Sequence, residues 1–283
     1  MGSMIEAIGR RLSTRAYADR PVEEEIKREI AGWLEANRRG PFGGRVGLGL
    51  LDFDELERKQ VRSLGTYGFI RGARLFIVSA IADTPEARAD LGYCLERVIL
   101  EATSRGLGTC WVGGTFKRSH FARRIGVSSG EIVPAVTPIG YPRDKKSMAD
   151  RAIRRLAGSD HRKAWDELFF SGDLATPLSK DDCGGFAVSL ESVRLGPSAS
   201  NHQPWRVVKA AGRGADVFHF YLERTGGYER KFGGINLQDI DMGISLCHFE
   251  LSARELGLDG KWDRRPPELE VGSAEYIASW VAE

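Results

Sequence analysis

Asp90 to Trp111 can be laid without a gap on Asp241 to Trp262, 151 residues further along the chain. In that overlay Asp90, Gly92, Leu95, Leu100, Ala102, Gly106, Leu107 and Trp111 recur as Asp241, Gly243, Leu246, Leu251, Ala253, Gly257, Leu258 and Trp262. Two unrelated amphipathic helices share leucines and alanines, because an apolar stripe at helical spacing needs them. They do not share the flanking Asp, Gly and Trp as well. The chain therefore reads as two homologous halves covalently joined, residues 4–160 and 161–283, with the join inside 145–175. A length of 283 residues gives each half enough chain for a core, and intertwined halves would form one unit.

The periodicities fit an α+β chain. Pro21 suits the first turn of a helix, Glu23, Glu24 and Glu25 suit its positive end, and Ile26, Ile30, Trp33 and Leu34 share a face. Residues 73–80 form a short apolar run without helical period and read as a buried strand; 88–105 and 117–125 read as helices. In the second half a helix carries Phe186, Leu190 and Val193, and strands are expected from Arg206, over 217–222 and over 276–281.

The most distinctive stretch is Pro197-Ser198-Ala199-Ser200-Asn201-His202-Gln203-Pro204-Trp205. Its two prolines fix φ and disfavour the α region before them, so the loop is expected to be extended, with Ser198, Ser200, Asn201 and Gln203 offering donors and acceptors. That chemistry suits a planar ligand rich in ring nitrogens and carbonyls, although a generic serine–proline turn bonding its own backbone has the same composition. Near the N-terminus Arg10-Arg11-Leu12-Ser13-Thr14-Arg15 sets three guanidinium groups and a hydroxyl within six residues. A phosphate dianion held away from water needs such a cluster; a solvated basic turn is the plainer alternative.

The 197–205 loop resembles the P-S-x-x-N-x-Q-P-W signature of nitroreductase-family FMN oxidoreductases, and the arginine and serine cluster before Pro21-Val22 resembles the start of that family. Ala135 to Pro142 is similar to the family's strand ending in G-Y-P, and Asp160 to Phe170 to its R-K-P-L-E-E-L segment. With the repeat, the resemblance points to the single-chain, duplicated branch described as putative TM nitroreductases. It implies a central, mainly antiparallel sheet flanked by helices, and two halves forming a pseudo-dimer within one chain, so that a monomer could suffice. It also implies FMN between the halves. Arg11, Ser13, Arg15 and Arg162 would hold its phosphate end, and Pro197, Ser198, Ala199, Ser200, Asn201 and Gln203 its ring, with the Gly113 and Gly114 backbone beside flavin N5. Leu12 stands where the family usually carries a base. Residues 40–49 sit where the first copy of the Asn and Gln loop would be and read as a degenerate copy, so one flavin per chain is expected.

The implied activity takes hydride from NAD(P)H to the flavin and then reduces an electron-poor acceptor, a nitroaromatic or a quinone. No catalytic side chain is needed, because the flavin carries the chemistry. The alternatives are a flavin-binding store or sensor, or a flavin enzyme of different chemistry on the same fold. Residues 42–72 and 224–238 are the candidate lids over the open face. A net charge of +2 gives no reason to expect nucleic acid or a membrane surface. Four scattered cysteines and five histidines show no metal-ligand spacing and suit a reducing, cytoplasmic setting.

Overall fold

A computed structural model describes residues 2–53, 70–114, 116, 118–143, 161–212 and 214–283. The two repeat segments are its two longest helices. In the first half the elements are α1 (Met4–Arg10), α2 (Glu24–Ala36), β1 (Gly47–Asp52), β2 (Leu75–Ala82), α3 (Pro85–Ser104), β3 (Gly108–Thr109), α4 (Arg118–Ile125), β4 (Glu131–Ile132) and β5 (Val136–Gly140). The second half gives β6 (Phe169–Ser171), α5 (Ala187–Leu195), β7 (Trp205–Lys209), β8 (Val217–Leu222), α6 (Leu237–Glu255), β9 (Gly260–Asp263) and β10 (Glu275–Ala282).

Why the repeat extends past the helices is visible at their ends. Thr84 caps α3 by accepting from the Ala87 N–H, and Asn236 caps α6 by accepting from the Gln238 N–H. At the other end Gly106 (φ 75°) and Gly257 (φ 73°) turn left-handed, which lets the Leu107 N–H reach the Ala102 carbonyl and the Leu258 N–H reach the Ala253 carbonyl, both at 2.9 Å. These are matching Schellman caps, and each needs a residue without Cβ strain at positive φ.

Each half builds its own five-stranded sheet. The first runs β1-β2-β5-β3 with β4 added on β2, and the second runs β6-β7-β8-β10-β9. Leaving out β4 and β6, both sheets place their strands in the same order: first, second, fourth, third along the chain. All pairings are antiparallel except β6 with β7. The expected central sheet is thus made in two parts, one per half, with α3 and α6 packed between them.

Those two helices cross at glycine. A Cβ on Gly92 would stand 2.0 Å from the Ile240 carbonyl oxygen, and one on Gly243 would stand 1.8 Å from that of Ala89. Residues 89 and 92 are the repeat partners of 240 and 243, so the contact is reciprocal, as an isologous interface requires. Arg88 Nε also meets Asp239 Oδ2 at 2.7 Å, and 88 and 239 are themselves repeat partners. The chain start joins the same layer: the Met4 and Ile5 N–H groups donate to Glu255 at the end of α6.

Three sequence expectations need correction. Residues 47–49, read at the end of a degenerate loop, belong with 50–52 to strand β1, whose Gly47 lies so close to Ala80 that a Cβ there would approach its carbonyl oxygen to 2.9 Å. The lid assigned to 42–72 therefore fails for 47–52, which form part of the sheet; residues 54–69 lie outside the described residues, as does much of the expected join, 144–160. The 197–205 loop is extended at Ser198 (φ −144°, ψ 159°) but then tightens before β7 begins at Trp205, with Ser200, Asn201 and Gln203 at φ 49°, 56° and 48°.

Candidate active site

A cavity of about 240 Å³ opens between the halves. From the first half it takes Arg11, Leu12, Ser13 and Arg15, which leave the end of α1 as an extended run tied to β3 through the Thr14 N–H and the Thr109 carbonyl (2.7 Å). It also takes Gly113 and Gly114, beyond β3, and Ala135. From the second half come Arg162, the loop Pro197 to Asn201, the short turn carrying Tyr228 and Phe232, and the start of α6. Its charged lining residues are three arginines and Asp241.

The rear loop is held by side chains that leave little slack. The Ala199 N–H donates to Asp241 Oδ1 (2.8 Å), the Gln203 N–H to Ser198 Oγ (2.8 Å), and the Tyr228 hydroxyl to Ser200 Oγ (2.8 Å). Three non-glycine residues at positive φ within four positions cost free energy that must be offset by such contacts, and backbone strain of this kind concentrates at functional sites. In the first half Asp90, the repeat partner of Asp241, accepts from the Phe42 and Gly44 N–H groups (2.8 and 2.7 Å). The loop at 40–44 therefore occupies the corresponding place beside α3, without the serines and amides.

Behind Arg11 lies a buried ionic cluster. Arg11 Nε stands 3.7 Å from Glu96 Oε1 and makes no hydrogen bond among the described residues. Glu96, fully buried on α3, accepts from Trp111 Nε1 (2.7 Å) and faces His248 Nε2 (3.0 Å). The other imidazole nitrogen, Nδ1, faces the Ser192 carbonyl at 2.8 Å, which can only accept, so Nδ1 carries the proton. Burial alone would raise the Glu96 carboxyl, but His248, Arg11 and Trp111 together bring it below its ordinary range. The cluster fixes the Arg11 and Trp111 walls of the cavity to both central helices.

The family model described as Putative TM nitroreductase matches residues 3–253. The chain belongs to that family. Among solved structures it is similar to a putative nitroreductase from Thermotoga maritima, at 19% identity and a TM-score of 0.61 over 99% of this chain and 93% of that one. An FMN-dependent nitroreductase from Clostridium difficile covers 52% of this chain and 93% of its own, at 19% identity and a TM-score of 0.40. A putative NADH dehydrogenase/NAD(P)H nitroreductase from Bacteroides thetaiotaomicron covers 52% of this chain and 91% of its own, at 21% identity and 0.43. No curated protein matches.

In this member of the putative TM nitroreductase family, eleven of the twelve residues singled out from sequence line the one cavity: Arg11, Ser13, Arg15, Gly113, Gly114 and Arg162 together with all of Pro197 to Asn201. Gln203 does not. It is 3% exposed and accepts the Lys163 N–H at Oε1 (2.8 Å) while donating to the Asn201 carbonyl (3.2 Å), so it braces the loop from behind. Asn201 and Arg162 both reach the cavity and bond each other at 3.2 Å. Sequence reasoning passed over Tyr228, Phe232, Asp241 and the Glu96–His248 cluster. Tyr228 and Phe232 do fall within 224–238, and Phe232 lies against Gly114, where a Cβ would meet the ring at 2.1 Å. Among the described residues no helix is long and apolar enough to cross a membrane, and no group of three or more His, Cys, Asp and Glu is placed to hold a metal. All four cysteines are buried and free.

Proposed function

We propose that the protein is an FMN-dependent NAD(P)H oxidoreductase of the nitroreductase type, reducing an electron-poor acceptor such as a nitroaromatic or a quinone. Family membership gives the general redox reading, and one observation carries the specific one: Arg11, Arg15 and Arg162 share a cavity with the strained Pro197 to Asn201 loop. FMN combines a phosphate dianion with a planar ring bearing carbonyls and ring nitrogens. Guanidinium groups offset the desolvation of the first. Loop hydroxyls and a bare glycine backbone suit the edge of the second.

Arg11 turns its buried Nε toward Glu96, a distant counter-charge, and lines the cavity as a cation for an anion. Ser13 and Arg15 extend that grip, and Arg162 joins it from the second half while orienting Asn201. Gly113 and Gly114 offer backbone without side-chain interference, Tyr228 and Phe232 shield the cavity from water, and Gln203 keeps the loop in register. When bound, FMN supplies the hydride chemistry, and the chain need provide only binding, orientation and field. On this reading the halves, 4–160 and 161–283, do within one chain what a dimer does, and a monomer working in the cytoplasm suffices.

Anaerobic titration of FMN-reconstituted protein with NADH and NADPH tests the proposal. Bleaching of the flavin band and its recovery with a quinone or nitroaromatic are expected. Failure to take up FMN contradicts it, and a yellow protein inert to both nucleotides identifies a flavin-holding module instead.

A further inference from the structure

Asp90 and Asp241 are repeat partners placed alike at the starts of the two central helices, and they offer a comparison inside one molecule. Asp90 spends both carboxyl oxygens on backbone, accepting from Phe42 and Gly44. Its work as a loop clasp is complete. Asp241 spends only Oδ1, on the Ala199 N–H; its Oδ2 has no hydrogen-bond partner among the described residues, although the residue is 3% exposed and lines the cavity. A buried oxygen left unpaired costs about 1–3 kcal/mol. The second oxygen is therefore surplus to the structural task that the two aspartates share.

We propose that Asp241 is a ring anchor for the ligand of this cavity, using Oδ2–H to donate a hydrogen bond to an acceptor atom, a ring carbonyl or ring nitrogen, of a planar heterocycle. This rests on the flavin reading given above. The direction of the bond follows from the surroundings. Burial pushes the carboxyl well above its ordinary range, the Ala199 N–H offsets this only in part, and Asp239 on the same helix adds to the push. Arg224 and Arg88, the nearby cations of this helix end, are bonded to Asp239. A protonated Asp241 accepts at Oδ1 and donates at Oδ2, and among the described residues it leaves the three arginines as the only charged groups lining the cavity. The acceptor edge of the ring and a phosphate would then meet no opposing negative charge from Asp241.

Asn reproduces this pattern with the charge removed, since its Oδ1 accepts and its Nδ2–H donates. FMN affinity is measured by flavin fluorescence for wild type, Asp241→Asn, Asp241→Ala and Asp241→Leu, the last keeping the bulk should Ala loosen the helix. Infrared spectra of the free proteins report a protonated carboxyl band. The expected result is an Asp241→Asn affinity within about threefold of wild type, a loss of about tenfold or more for Ala or Leu, and a protonated carboxyl band that Asp241→Asn abolishes. Equal weakening by Asn and Leu, or no weakening by either, overturns the anchor while leaving the flavin reading intact. Wild type that binds no FMN overturns both.

Discussion

Arg15 is the residue whose loss should separate the two ends of the ligand. Its guanidinium lines the cavity with no acidic partner among the described residues, and it donates to the Ser13 carbonyl at 3.5 Å. Arg15→Met should weaken FMN by roughly 10- to 100-fold, the worth of a charge-assisted hydrogen bond, and leave riboflavin unchanged; paired fluorescence titrations check it. Asp241 makes a prediction about pH. Its carboxyl is raised by burial, so the stability it contributes is present below about pH 4, the ordinary carboxylate range, and is lost as pH rises through its folded value. Facing it are Asp239 on its own helix, Tyr228 on the neighbouring turn, and Arg11, Arg15 and Arg162 across the cavity. Asp241→Asn should match wild type near pH 4 and gain on it at higher pH, by at most about 1.4 kcal/mol per pH unit, in urea unfolding followed across pH. At this scale the sequence was legible where a motif fixes letter and place together, as at Arg11, Ser13 and Ser198. It was not legible where equal letters have unequal neighbours: Asp90 and Asp241 differ only in what packs on them. Gln203 fits the motif yet turns its amide to Lys163, a choice made by tertiary contact.

Among the elements, the crossing of α3 and α6 bears most on stability. A methyl on Gly243 would press on the Ala89 carbonyl oxygen at 1.8 Å and the Tyr93 nitrogen at 2.7 Å, and backbone cannot give way as a side chain can. Gly243→Ala should therefore cost at least about 3 kcal/mol, lowering the melting temperature by roughly 6–12 °C for a chain of this size. Gly32→Ala, inside α2 with nothing within 4 Å of the added methyl, should instead raise stability by about 0.5–1 kcal/mol. Calorimetry on the two variants distinguishes a forced close approach from a tolerated glycine. The long helices and β8 were readable from their periods and runs. Strand β1 was hidden because Gly47 and Gly49 give a weak strand signal; at Gly47 a Cβ would press on the Ala80 carbonyl oxygen at 2.9 Å, and at Gly49 it would fit tightly against Ile125 at 3.3 Å. Helix α1, seven residues long, is too short for a period to declare itself.

For the whole molecule, the repeat predicted one architecture used twice, and the two sheets share a strand order and meet through reciprocal contacts of α3 and α6. The copies have also diverged in ways that bind them together. Arg88 faces Asp239, its own repeat partner, whereas two identical copies would set like charges against each other there. The same division runs through the cavity, where Arg11 and Arg15 come from the front half and the strained loop from the rear. On the proposed reading two such halves enclose one FMN, since the loop at 40–44 lacks the serines and Asn of its counterpart. Equilibrium titration of the purified, cofactor-stripped chain with FMN measures this directly. One equivalent bound per chain, by a protein that sediments as a monomer, is the predicted result; two equivalents, none, or binding only by a dimer would contradict it.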